Sequence, residues 1–184
     1  MLIPFDILKV AQACAVLLKS EPTRRMSRLR LLKLLYIADR EYLKERGRPI
    51  TGDRVAAMDH GPVLSRTYDL IKGTDIGAPT WGRHFRNLGA RDVELGEDPG
   101  AGKLSRFEIE KLQQVASRLA DLDDWSVAEL THGFPEWEKN APAKGASRPI
   151  PLDDLLAATG RLDQKESLLA DERALQAADR VFGQ

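Results

Sequence analysis

A chain of 184 residues with 28 basic and 28 acidic side chains has room for one substantial core. It has no net field to draw in nucleic acid or an anionic membrane. Hydrophobic residues at 42%, charged at 30% and aromatics at 6% describe a globular protein with a mostly aliphatic core. The single cysteine, Cys14, excludes an internal disulfide and a thiolate metal site and fits a reducing cytoplasm.

The first predicted element is a helix over residues 4–19. Ile7, Val10, Ala11, Cys14, Leu17 and Leu18 fall on one stripe and Pro4 suits the first turn. Asp6 and Lys9 interrupt the apolar stretch and no basic segment precedes it, so it reads as a helix of the domain and not as a signal peptide. No apolar run reaches the roughly 18 residues of a membrane span. A second helix is predicted over 23–46, capped by Thr23, with Lys44 and Arg46 in its last turn, Gly47 at C′ and Pro49 beyond. Its middle, LRLLKLLYIA, is apolar nearly all round, which places it in the centre of the domain. Residues 54–58 read as a short strand. Gly61-Pro62 then opens a third helix, with Pro62 at N1, Val63, Leu64, Tyr68 and Ile71 inward, and Gly73 at its end.

Residues 80–95 alternate weakly on either side of a turn at 87–89 and read as a β-hairpin. Ser105 and Glu108 form a capping box ahead of a helix that carries Ile109, Leu112, Ala116 and Leu119 inward. A second box, Ser126 with Glu129, and a staple of Trp125 onto Leu130 open a short helix that ends at His132 and Gly133. FPEW turns the chain into a Pro/Ala/Gly-rich connection over 139–151. A short helix over 152–159 and a longer one over 163–182 follow, the latter with Leu168, Leu175, Ala178 and Phe182 on one stripe. The expected fold class is α+β, mainly α-helical. A compact helical domain, 1–138, surrounds a buried central helix at about 24–46, with a short strand and a small β-hairpin at about 80–95. A C-terminal helical extension, 139–184, packs on that domain or continues it.

The candidate chemistry concentrates in GRPITGDRVAAMDHGPV, residues 47–63. Asp59-His60 has the composition of an acid–base pair, and Ser65 follows closely. Neighbouring residues on a strand point to opposite faces, however, and Ser65 has no third group to orient a base. Hydrolysis through Asp53, Asp59 or His60 is therefore the lesser expectation. His60, His84 and His132 show no HxH or HExxH spacing, so neither a metal nor a cofactor is expected. Gly47 and Gly52 flank Thr51 without a phosphate-loop pattern. The stronger surface signal is charge. Residues 24–54 hold ten basic and four acidic side chains, whereas 151–184 hold four and seven. Arg24, Arg25, Arg28, Arg30 and Lys33 crowd the start of the second helix, and Arg83, His84, Arg86 and Arg91 line the hairpin. Phosphate contact with DNA would use such a set, and so would an acidic protein partner.

KLLYIADREYLKERGRPITGDRVAAMDHGPVLSRTYDLIKG resembles the signature of the Panacea domain of SocA-type antitoxins and phage-associated proteins. The shared order is K-L-L-Y-x-A-D, G-R-P-I-x-G-D, H-G-P-V and Y-D-L, followed by L-S-x-F-E and E-L-T-H…W, and it covers about 31–137. The positions that carry it, or that joint its helices, are Lys33, Tyr36, Asp39, Gly47, Arg48, Pro49, Thr51, Gly52, Asp53, His60, Gly61, Pro62, Tyr68, Thr131, His132 and Trp137. The resemblance implies an antitoxin of bacterial and phage context. Such a protein neutralises a cognate toxin by direct contact, in some members by delivering it to a protease, and no enzymatic activity is implied. Some relatives add a helix-turn-helix domain, for which 184 residues leave no room beside this core. Arg24, Arg25, Arg28, Arg83, His84, Arg86 and Arg91 are the candidate partner-binding residues. A cytoplasmic protein is expected.

Overall fold

The computed structural model describes residues 3–170 and 173–174. Helix α1 (Ile7–Leu18) starts at Asp6, not Pro4, because the Asp6 carboxylate accepts the N–H groups of Leu8 and Lys9 at 2.9 and 3.1 Å. Residues 23–27, expected as the first turn of the second helix, lie outside it. Arg24 sits at φ 52, in the left-handed region a helix cannot run through. Arg25–Ser27 then forms a strand, β1, and Ser27 in place of Thr23 caps α2 (Arg28–Arg46). The rest of α2 is as its composition dictates. Leu31, Leu34, Leu35 and Tyr36 are buried, and the helix packs against α1, α5 (Arg106–Arg118) and α6 (Asp124–His132). Each such side chain contributes about 1.5–3 kcal/mol by leaving water.

The next correction concerns Gly61-Pro62. These residues do not open a helix. They begin β3 (Gly61–Leu64), which pairs antiparallel with β2 (Val55–Met58) in the register Ala57↔Pro62 and Met58↔Gly61. Asp59-His60 is the two-residue turn of this hairpin. β2 lies between β3 and β6 (Arg148–Pro149), so β3 is an edge strand, where a residue without an N–H is tolerated. Helix α3 (Ser65–Lys72) starts only afterwards.

The predicted hairpin at 80–95 is shorter than expected. Its first part is helix α4 (Ala78–His84), which has Pro79 in its first turn and Trp81 stacked on Phe85 at 4.1 Å in the core. β4 (Phe85–Leu88) and β5 (Asp92–Leu95) form the hairpin itself, and β1 adds to it in the order β1-β5-β4. The Ser105–Glu108 capping box of α5 is present in both halves. The second box is not. Asp123 takes Ser126 N at 2.8 Å and caps α6 alone, since a carboxylate three residues earlier meets the same donor. Trp125 and Leu130 are exposed rather than stapled.

A single turn, α7 (Pro135–Glu138), follows. β6 then joins the sheet of β2, and α8 (Leu152–Ala158) packs on α7 and against Leu43 through the buried Leu156. A 3-10 turn spans Leu162–Gln164, and residues 165–170 and 173–174 are helical. The rest of the predicted last helix lies outside the described residues. The fold is mainly helical α+β, and no described helix is long and apolar enough to cross a membrane.

Candidate functional site

Two carboxylates hold the connection between α2 and α3. Asp39 projects from α2 into the loop that follows it. Its Oδ1 accepts Ile50 N and Thr51 N at 2.7 and 2.8 Å, and its Oδ2 accepts the Thr51 hydroxyl at 2.9 Å. Burial nevertheless pushes the Asp39 carboxyl up to about 6, against the hydrogen bonds, which favour the charged form. Asp53 does the same for α3, whose own N-cap residue, Leu64, has no side-chain acceptor. It accepts Arg66 N, Thr67 N and the Thr67 hydroxyl at 2.8–3.0 Å, capping the helix from twelve residues before its first position. Burial raises its carboxyl too. Between the two acids Gly52 turns at φ +67 where a Cβ would meet Pro4 O at 2.9 Å, so only glycine fits. Pro49 is buried in this loop, Gly47 ends α2, and Arg48 is exposed.

A second joint gathers the motifs that lie farthest apart in sequence. Lys33, buried in the second turn of α2, donates through Nζ to Pro62 O at 2.7 Å and so satisfies a carbonyl on the outer edge of β3. Gly61 lies against it. A Cβ there would collide with Thr131 Oγ1 and stand 2.9 Å from Lys33 Nζ. Thr131 donates to Ala128 O at 2.6 Å, and His132 stacks on Trp137 at 4.3 Å. Trp137 in turn donates to Met58 O at 3.0 Å, on the partner strand of the hairpin. Burial lowers the Lys33 ammonium to about 7. Nearby, the Tyr36 hydroxyl donates to Glu136 Oε1 at 2.6 Å and Arg40 clamps the same carboxylate at 2.6 and 3.1 Å. Burial and the adjacent Glu136 both raise the Tyr36 phenol. Sequence reasoning passed over Arg40 and Glu136. The signal was the acid inside FPEW, a charged residue in an otherwise apolar corner.

Asp59 and His60 are turn residues and not neighbours on a strand. Asp59 Oδ2 accepts Gly145 N at 2.7 Å, and the His60 ring meets Trp125 edge-on at 5.1 Å. Arg30 and Lys33, counted among the candidate phosphate contacts, are buried. Arg30 donates to Leu119 O and Leu122 O at 2.8 and 2.7 Å and closes the end of α5. No cluster of three or more His, Cys, Asp or Glu side chains among the described residues could hold a metal. Cys14 is buried, and its thiol is pushed well up by that burial.

The remaining basic residues do come together, through the sheet β1-β5-β4. Arg25 and Arg86 face Glu94 from either side in register, Arg25 also pairs with Asp92, and Arg28 donates to Gly89 O at 2.8 Å. Arg24 and Arg91 are exposed beside them, and Arg83 and His84 end α4. Between this sheet, α2, α3 and the β2–β3 turn opens a cavity of about 440 Å³. Leu29, Leu32, Val63 and Ile71 form its apolar walls, and Arg28, Lys33, His60 and Lys72 are its basic members.

Asp39, Asp53, Lys33 and Thr131 thus hold two internal joints of a mainly helical domain, beside a cavity with basic members. Residues 31–138, more than half of the chain, match the family of the Antitoxin SocA-like, Panacea domain, and the chain belongs to that family. No curated protein and no solved structure matches it.

Proposed function

We propose that this chain is the antitoxin of a toxin–antitoxin pair and neutralises its toxin by direct protein contact, without catalysis. Membership of the Antitoxin SocA-like family carries the reading. The geometry supports it. Of the acids offered to hydrolysis, Asp53 is committed to the start of α3 and Asp59 to Gly145 N, while the buried Asp39 and Lys33 hold a loop and a strand edge. The sheet arginines offered to DNA are in part neutralised by Asp92 and Glu94, which weakens phosphate attraction. Expression of the neighbouring toxin arrests growth, and coexpression of this chain restores it. Copurification of the two proteins in stoichiometric amount is the direct check. Growth arrest that persists with soluble antitoxin present would remove the proposal. Delivery to a protease is the other route to the same end, marked by a toxin half-life that shortens when the chain is present.

A further inference from the structure

We infer that the cavity between α2, α3 and the β2–β3 turn is the seat of the toxin, filled by a segment in which an Asp or Glu side chain neighbours a bulky apolar one. This rests on the antitoxin reading above. The argument is one of charge. Among the described residues, no carboxylate pairs with Arg28, Lys33 or Lys72 of the lining. Arg28 donates to Gly89 O and its Nε is buried with no hydrogen-bond partner. Lys33 lies beneath the floor and is met by one carbonyl, Pro62 O. Lys72, exposed at the rim, stands over the Tyr68 ring at 5.1 Å. Asp59, the acid of the lining, is already engaged with Gly145 N. A site with apolar walls, an uncompensated rim of Arg28 and Lys72, and a buried amine below it that an incoming carboxylate would hold protonated favours an acidic occupant.

The surface continues in a way that fits an anchor residue. His60, part of the lining, touches Trp125, whose side chain is 61% exposed at the start of α6. An exposed tryptophan beside a pocket of this size is the composition of an interface centre. The acidic side chain settles between Arg28 and Lys72 while its apolar neighbour fills the walls at Leu32 and Val63, with Trp125 covering the flank.

The test measures the affinity of the intact chain for its cognate toxin by calorimetry. Lys72→Glu, at an exposed position, is expected to raise Kd about ten-fold or more, and Lys33→Met about ten-fold, without lowering the thermal midpoint. Arg106→Glu, an equal reversal on α5 outside the cavity, leaves Kd unchanged. A photoreactive phenylalanine analogue in place of Tyr68 is expected to crosslink a toxin peptide that contains Asp or Glu beside a large apolar residue. If wild type binds while Lys72→Glu and Lys33→Met bind equally well, or if the captured peptide carries no acid, the docking inference fails and the antitoxin reading stands. If wild type neither binds nor rescues, the antitoxin reading fails and the inference falls with it.

Discussion

Asp39 and Lys33 lie on the same helix, both buried, and they define two regions with opposite economies. Around Asp39 both carboxylate oxygens are engaged, with three donors from one loop converging on one carboxylate. Around Lys33 a single carbonyl meets a group that can donate three times. The first region is a closed structural lock. The second is a strut that holds the edge of β3 yet keeps its charge poorly compensated, next to the cavity. A buried ion satisfied by its own fold makes a fold rigid. A buried ion left half-satisfied beside an opening is the place where a partner gains most.

The sharpest way to break the comparison is at Asp39. Asp39→Ala strands two buried backbone N–H groups and the Thr51 hydroxyl, and is expected to cost about 3 kcal/mol or more of unfolding free energy in urea titration. Asp39→Asn keeps an acceptor for Ile50 N and Thr51 N and is expected to cost less than about 1.5 kcal/mol. Equal losses from the two variants would mean that charge, not acceptor geometry, closes the lock.

Lys33 is expected to behave in the reverse sense, and pH exposes it. Its folded pKa of about 7 lies below the ordinary value of 10.5, so the unfolded chain binds the proton more tightly and stability rises with pH between those values. Asp39, raised from 3.8 to about 6, stabilises fully below 3.8 and loses that contribution as pH climbs through 6. Together the two groups place a trough of stability at pH 6 to 7. Lys33→Met removes the alkaline rise and is expected to be more stable than wild type at pH 6, because relief of the desolvation penalty outweighs the roughly 1 kcal/mol lost by leaving Pro62 O without a donor. Thermal unfolding followed from pH 4 to 10 reads both effects.

Much of this molecule is written locally, and the parts that are not have a common cause. The central helix follows from LRLLKLLYIA, and the start of α5 from Ser105 and Glu108, because each signal acts within one or two turns. β1 was invisible because three residues become a strand only through β5, which lies more than sixty residues on. Pro62 carries a helix-start signal, and it was outvoted by Asp53, a cap borrowed from the preceding loop. The signature residues were legible as a set, whereas their division into locks and strut depended on distances. Lys33 and Asp39 look alike on paper. The cavity was illegible for a stronger reason: α2, the β2–β3 turn, α3 and the loop at Gly145 each give it one wall. Trp125 was misread as a staple, since nothing in a single helix tells whether an apolar side chain turns outward.

The smallest expected effect comes from applying the Asp39 chemistry in water. Asp59 also accepts a backbone N–H, that of Gly145 at 2.7 Å, and so straps the 139–151 connection across the hairpin turn at the mouth of the cavity. Both Asp59 and Gly145 are exposed. Water replaces the lost acceptor, so Asp59→Ala is expected to cost under about 1 kcal/mol, a shift of roughly 2–4 °C at most in the thermal midpoint. Its signature is local. Amide exchange at Gly145 should quicken several-fold while the amides of Ile50 and Thr51 keep their protection. If Asp59→Ala instead destabilises as much as Asp39→Ala, the strap holds the whole hairpin, and the mouth of the cavity is as fixed as the lock behind it.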